Sequence, residues 1–345
     1  MGLHLPRQAA PSGAAALKDL SVIANPWTSH LASLSPAIRT AILHDEPMHR
    51  HTYLRVGGAA DLFYSAQETD ALAEIAALAQ RHDLPLFMLG EGTNVCISDR
   101  GVRGFVVQNA CRHAEIGPTA YADAGHNFMQ LFVRTMQAGL SGLEWAVGIP
   151  GTVGGALVSN AGAYRGNICD LVTRIEVVEG GERQWVTPDW MGFSYRDSRL
   201  RREGGRPAAL LGVTLTLMPG RRTDIRLKAK EIQMQRILKQ PWEPSAGSFF
   251  KNIRDRALAA SLPSLPENMR RFGVVPTAFL SEECGLKGFT LGGAGVAERH
   301  ANFIVNRGHA TAADVRAVAE TVKQRVFDRF GLKLEEEVLY VGEWD

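Results

Sequence analysis

The sequence has few of the residues that carry metal or disulfide chemistry. Its only cysteines are Cys96, Cys111, Cys169 and Cys284. They stand far apart, with no Cys-x-x-Cys and no His or Cys at metal-ligand spacing, so no metal site is expected. No charged-then-apolar leader is present, and the thiols are read as reduced in a cytoplasmic protein. No apolar run approaches the roughly eighteen residues of a spanning helix, so no membrane partner is expected. Neither sign of charge is in excess: 38 Lys and Arg against 36 Asp and Glu leave a formal +2. Aromatics make up 8% and no basic stripe interleaves with them, which argues against a nucleic-acid partner. The local groups Arg199, Arg201, Arg202 and Arg221, Arg222 are read as solvated loop charges. Also missing are an internal repeat, a Gly-Lys-Ser/Thr phosphate loop, a Gly-x-Gly-x-x-Gly fingerprint and a Gly-x-Ser-x-Gly nucleophile elbow.

What is present suits a globular protein of two or three units: 345 residues, 45% of them apolar and 21% charged. Residues 1–34, rich in Ala, Pro and Ser, are expected to form a loose extension. A first unit, 35–110, holds a helix with Leu72, Ile75 and Leu78 on one face, and a strand, Pro85–Leu89, running into a glycine turn. A second unit, 111–222, holds a helix with Phe128, Leu131, Phe132 and Thr135 on one side, then a glycine run, then strands over Arg174–Glu179 and Ala208–Met218. A third unit, 223–345, opens with a polar helix ending at Pro241. It closes with a Thr311-x-x-Asp314 capping box, a helix lined by Val315, Val318, Val322 and Val326, and a strand over Lys333–Val341. Strands and helices mix without strict alternation, so the fold class is α+β.

The most unusual stretch is residues 148–164: five glycines, one proline and no charge in seventeen residues. Glycine and proline each penalise a helix interior, so an ordinary helix is not expected there. Such a run can offer bare main chain and N–H groups to a flat or phosphorylated ligand. Three polar residues elsewhere have chemistry to offer, although each also has a plain structural reading. Ser248 can donate a proton to a developing carbanion or merely cap a turn. Arg196 can hold a carboxylate or enolate or merely pair with Asp197. Glu337 sits in an apolar strand end, where burial raises a carboxyl and suits it to proton handling; it can also be an edge-strand charge. Strand alternation puts Glu335 and Glu337 on one face and Glu336 on the other, without deciding which one faces a site. His300 is read first as a loop hydrogen-bonder.

Together these segments resemble the UDP-N-acetylenolpyruvoylglucosamine reductases. The matching stretches are Leu54-Arg55-Val56-Gly57-Gly58-Ala59-Ala60-Asp61, Gly90-Glu91-Gly92-Thr93-Asn94, the run from Gly148 to Tyr164, Tyr195-Arg196-Asp197-Ser198, Pro244–Asn252, His300–Asn306 and Leu334–Gly342. They keep the family's order over roughly residues 40 to 342, and the wording is that of its shorter form.

The resemblance implies a vanillyl-alcohol-oxidase-like FAD-binding part in two subdomains and a C-terminal substrate-binding domain. The implied reaction reduces the enolpyruvyl ether of UDP-N-acetylglucosamine enolpyruvate to UDP-N-acetylmuramate for peptidoglycan. Hydride passes from NADPH through FAD to C3, and a serine protonates C2. The implied catalytic residues are Arg196, Ser248 and Glu337. FAD would be held by Arg55, Gly57 and Gly58, by Gly90, Glu91, Gly92, Thr93, Asn94 and Val95, and by the glycine run. In that run the contributors are Gly148, Ile149, Pro150, Gly151, Thr152, Gly154, Gly155, Ala156, Asn160, Gly162 and Ala163. Tyr164, Tyr195, Lys251, Asn252, His300 and Asn302 would contact substrate, in a monomer or weak oligomer. The chain departs from the family wording at Arg165, Asn167, Ile253, Thr93 and Cys96, and Arg165 puts a bulky cation beside the glycine run. The rival readings are an FAD-dependent sugar or alcohol oxidase of the same fold and a non-catalytic flavin- or nucleotide-binding module.

Overall fold

Apolar spacing and capping chemistry account for three of the four longest helices among the described residues. The computed structural model describes residues 25–202 and 208–344. Helix Thr69–Arg81 buries Leu72, Ile75, Ala76 and Ala79 on one side. Helix Phe128–Gln137 starts at Asn127, whose side chain accepts from the Gln130 N–H at 3.0 Å. Helix Ala312–Phe330 opens with the reciprocal Thr311–Asp314 box and closes at Gly331, φ +69°.

Among the described residues, three sheets have four or five strands. The first runs Leu43–Pro47, Ala59–Ala66, Val102–Asn109, Leu86–Leu89; its first pair is antiparallel and the other two parallel. The second is a five-stranded antiparallel sheet in the order Glu182–Val186, Val172–Glu179, Ala208–Thr216, Thr119–Asp123, Ala114–Glu115. The third, also antiparallel, runs Ser245–Ser248, Phe303–Asn306, Ala294–Val296, Thr290–Leu291. Mixed and antiparallel sheets with helices on their faces define an α+β chain.

Four expectations change on contact with the fold. Of the stretch expected to be loose, residues 1–24 lie outside the described residues, but from Asn25 onward the chain is packed. Trp27 is fully buried, donates its indole N–H to the Pro85 carbonyl at 2.8 Å and stacks edge-on against Phe105. Its aromatic area outweighs the local Ala/Pro/Ser composition. The glycine run does contain a helix, the short Val153–Val158. Thr152 caps it, and glycine is needed inside it because a Cβ on Gly154 would come within 2.9 Å of the Ala124 carbonyl. Helix Arg222–Lys239, placed at the start of the third unit, buries Ile225, Ala229 and Ile232 in the core of the second.

The terminal strand is short, Leu339–Val341, and pairs in parallel with Val95–Ile97 of the first unit. Residues 335–337 instead bond to the loop after Ser248: Lys251 N–H to Glu335 O at 2.9 Å and Glu337 N–H to Phe249 O at 2.8 Å. The C-terminal segment thereby ties the third unit to the first. Leu54, Val56 and Cys96 accordingly lie in the core of the third unit.

Candidate active site

Two cavities, of about 560 Å³ and about 920 Å³, open on the same main-chain segments. Thr93, Asn94, Thr152, Gly155 and Ser159 line both, so the cavities meet across these residues. Each lies within the size range of small-molecule sites.

The smaller cavity combines an apolar wall, with Leu86, Leu89, Leu210 and Leu339, and glycine-bearing main chain at Gly90–Asn94 and Gly154–Gly155. It sits at the C-terminal end of Leu86–Leu89, where the chain turns through Gly90–Asn94. Among the described residues, no N–H from Gly90 to Asn94 finds a protein acceptor. Five successive free donors at a strand end form a nest suited to a phosphoryl anion. The Glu91 carboxylate is turned aside by the Asn127 amide, at 2.9 and 3.1 Å. The helix start is spoken for: Val153 and Gly154 donate to the His126 and Ala124 carbonyls, and Gly155 to the Thr152 hydroxyl. Gly155 has a different use. A Cβ there would meet only Thr152 Oγ1, at 3.5 Å, so its missing side chain leaves space facing both cavities. A cradle with free N–H groups and a bare helix face fits the diphosphate and flat ring of FAD.

The larger cavity is made of side chains from distant parts of the chain. Arg196 occupies a left-handed backbone conformation, φ +54°, in the tight turn Ser194–Asp197. A non-glycine residue holds such a conformation only where its surroundings fix it. Here the guanidinium is fixed on three sides: it donates to Asn160 O at 3.3 Å and to Gly162 O, and Nε lies 3.1 Å from Glu337 Oε1. Asn160 supports the turn in return, its amide donating to Ser194 O at 2.8 Å. The Glu337 side chain keeps 19% of its exposure, and burial pushes its carboxyl above the usual range against the pull of Arg196, Arg201 and Lys251.

Ser248 ends the strand Ser245–Ser248 beside Gly247, whose φ of +80° turns the chain at the cavity wall. Its hydroxyl makes no hydrogen bond to a described residue and is left for a ligand. Arg196, Ser248 and Glu337 all line this one cavity together with Gly148–Thr152.

The three terminal glutamates part company, because 335–337 is not a regular strand. Glu335 pairs with Lys251, Glu336 with Lys323 at 2.8 Å, and Glu337 turns into the cavity.

The other expected residues divide. Arg55, Gly162, Ala163, Tyr195, Asn252 and Asn302 line the larger cavity, and Gly90, Glu91, Gly92, Val95 and Gly154 the smaller. Asn302 is buried with its amide engaged by the Phe250 backbone in both directions, at 3.0 and 2.8 Å, and so holds the segment that follows Ser248. Gly57 and Gly58 line neither cavity. A Cβ on Gly58 would fall 2.1 Å from the Asp99 carbonyl, so the pair lets two backbones pass. Lys251 and His300 also lie off the cavity walls. His300 is half-buried, and that desolvation lowers its pKa; Nδ1 accepts from the Asn302 N–H at 3.3 Å. Tyr164 and Arg165 form the turn of a small hairpin, both with positive φ; Arg165 points away to stack on Phe272 at 4.9 Å.

Two arginines on the cavity walls were hidden in the sequence. Arg201, read as a solvated charge, instead buries its guanidinium and donates to Glu337 O at 2.9 Å. Arg236 lines the larger cavity from a helix whose other residues are mostly polar and exposed. Neither has a sequence pattern that separates it from neighbouring surface arginines.

Fold and site together define an FAD-binding α+β protein. Residues 60–187 match the model of the FAD binding domain, and residues 239–341 the C-terminal domain of UDP-N-acetylenolpyruvoylglucosamine reductase. A reductase of that name from Geobacter metallireducens is 38% identical over 90% of this chain and 98% of its own. Another from Moorella thermoacetica is 38% identical over 92% of this chain and 98% of its own. The solved structure of the Thermus caldophilus enzyme superposes with a TM-score of 0.68 at 29% identity, covering 87% of this chain and 98% of that one. The chain belongs to the UDP-N-acetylenolpyruvoylglucosamine reductase family.

Proposed function

We propose that this protein reduces UDP-N-acetylglucosamine enolpyruvate to UDP-N-acetylmuramate, a peptidoglycan precursor, with NADPH as reductant and FAD as resident cofactor. The observation that carries this reading is the convergence of Arg196, Ser248 and Glu337 on one cavity beside the glycine run, with Arg196 and Glu337 paired at 3.1 Å. FAD supplies the two-electron relay between NADPH and C3 of the substrate. Its diphosphate is assigned to the N–H groups of Gly90–Asn94, and its ring to Thr152 and Gly155, where the two cavities meet. Residues 35–110 and 111–222, with helix Arg222–Lys239 packed on the latter, form the cofactor-binding part and the rest of 223–345 the substrate-binding part, in a cytoplasmic monomer or weak oligomer.

The side chains answer what the reaction demands. Adding a hydride equivalent to an enol ether conjugated with a carboxylate builds negative charge on that carboxylate and on C2. Arg196, held in place before substrate arrives, neutralises the carboxylate without reorganising. Glu337, raised by burial, is suited to donate a hydrogen bond to the enolate-like oxygen. Ser248 delivers its hydroxyl proton to C2 and is reprotonated from solvent; no protein nucleophile is required.

Anaerobic incubation of the purified protein with NADPH and the enolpyruvyl nucleotide tests the reading. The expected result is equimolar NADPH oxidation and a product heavier by two hydrogens. Oxygen uptake with a sugar alcohol, or flavin binding without turnover, would replace this reading with an oxidase or a binding module.

A further inference from the structure

Arg236 is a guanidinium turned inward without an anion to meet it. Its Nε is buried with no partner, and Nη2 reaches only the Trp145 carbonyl, at 3.4 Å. Its Cζ lies 5.6 Å from the Tyr164 ring centre. The charged side chain acting on it is Arg196, a like charge, and among the described residues no carboxylate pairs with it. Arg201, the other inward-turned arginine at the site, also has one unpartnered buried nitrogen, Nη1, but it donates to Glu337 O and lies in the field of Glu337, Asp197 and Glu335.

The stem of Arg236 lies over Gly148, where a Cβ would come within 3.1 Å of Cδ. The glycine run therefore makes room for this side chain as well as for a ligand. A buried cation with an unused donor and no counter-ion is costly unless a ligand supplies the anion. Four arginines, Arg50, Arg55, Arg196 and Arg236, line the larger cavity; Arg196 is already paired with Glu337, and Arg236 alone of the four has a buried nitrogen with no partner. That arrangement fits a ligand with two separated anionic groups.

We propose that Arg236 anchors a phosphoryl group of the nucleotide that enters the larger cavity. This rests on the reading of that cavity as the nucleotide site. A planar guanidinium binds phosphoryl oxygens in a fork, with more geometric demand than a lysine makes. The phosphoryl group can belong to the sugar nucleotide or to the nicotinamide nucleotide, and binding tells them apart.

The test is calorimetric titration of the FAD-loaded protein, wild type, Arg236→Met and Arg236→Lys, with uridine, UMP, UDP and NADP⁺. Wild-type protein that binds neither UDP nor NADP⁺ would overturn the cavity's nucleotide reading, and this proposal with it. Given wild-type binding, Arg236→Met is expected to weaken UDP by about 10–100-fold, the range for a charge-assisted hydrogen bond, while leaving uridine unchanged. Arg236→Lys should recover part of the loss. A loss confined to NADP⁺ supports the anchor and assigns it to the reductant; a loss for both assigns it to a shared position. Unchanged UDP and NADP⁺ binding would overturn it. So would an equal loss for uridine and UDP, or loss of bound FAD in place of either.

Discussion

The two cavities are neighbours built on opposite plans. The smaller offers main-chain N–H groups, missing side chains and an apolar wall, from segments close in sequence to strand and helix ends. The larger offers charged and hydroxyl groups from residues as far apart as Arg196, Ser248 and Glu337, brought together by the return of the C-terminal segment. A backbone cradle binds without committing a side chain. A side-chain site depends on each partner, because Arg196 without Glu337, or Glu337 without Arg196, leaves a largely buried group unpaired. Cofactor retention should therefore answer to space, and turnover to individual functional groups.

The contrast is broken most severely at the ion pair. Glu337→Gln or Arg196→Met should lower kcat by about 10²–10³-fold, as for loss of one charge-stabilising donor, with bound flavin retained in the absorbance spectrum. If flavin leaves in proportion to activity, the two cavities are not functionally separate.

The next largest effect distinguishes adjacent glycines. Gly154→Ala puts a Cβ 2.9 Å from Ala124 O and 3.0 Å from Ala124 Cβ, and should cost about 1–3 kcal/mol by overpacking in urea unfolding of the apoprotein. Gly155→Ala meets no such neighbour and should stabilise the apoprotein by up to about 1 kcal/mol as a better helix former. It should nevertheless lose FAD on gel filtration.

A smaller effect follows from the raised carboxyl of Glu337. A carboxyl raised in the folded state leaves full stability below its unfolded pKa, and stability is lost as pH rises through the folded value. Wild-type apoprotein should lose more stability than Glu337→Gln as pH rises from about 4.5 towards neutrality, measured by denaturant midpoints. The smallest effect is at cysteine: burial pushes the Cys96 and Cys111 thiols up to about 12. Thiol reagents at mildly alkaline pH should modify Cys169 and Cys284 well before these two.

Strong periodicity was legible, and so was the chemistry of isolated side chains. Leu72, Ile75, the valines of Ala312–Phe330 and the Thr311–Asp314 box all sit where spacing places them. Backbone-specific roles were not legible. Gly57 and Gly58 read like ligand-lining glycines but let backbones cross, and Gly154 and Gly155 read as helix breakers but lie in a helix. In both cases tertiary space overrides local propensity. Glu335, Glu336 and Glu337 were indistinguishable because two-residue alternation applies only to a regular strand, and only Leu339–Val341 is one. Arg201 read as surface charge, and Arg236 did not stand out from its polar helix, because burial of one arginine among many depends on contacts from remote segments. Trp27 was masked by its small and polar neighbours, although one indole was enough to pack that segment onto Phe105.

The central claim is that the larger cavity handles the substrate's proton while the smaller holds the cofactor. Rapid-mixing measurement of the two half-reactions of Ser248→Ala tests it most directly. The variant should retain FAD, be reduced by NADPH at the wild-type rate, and be reoxidised by the enolpyruvyl nucleotide slower by about 10²–10⁴-fold, the range for loss of a general acid. Equal slowing of both half-reactions, or unimpaired reoxidation, would contradict the account.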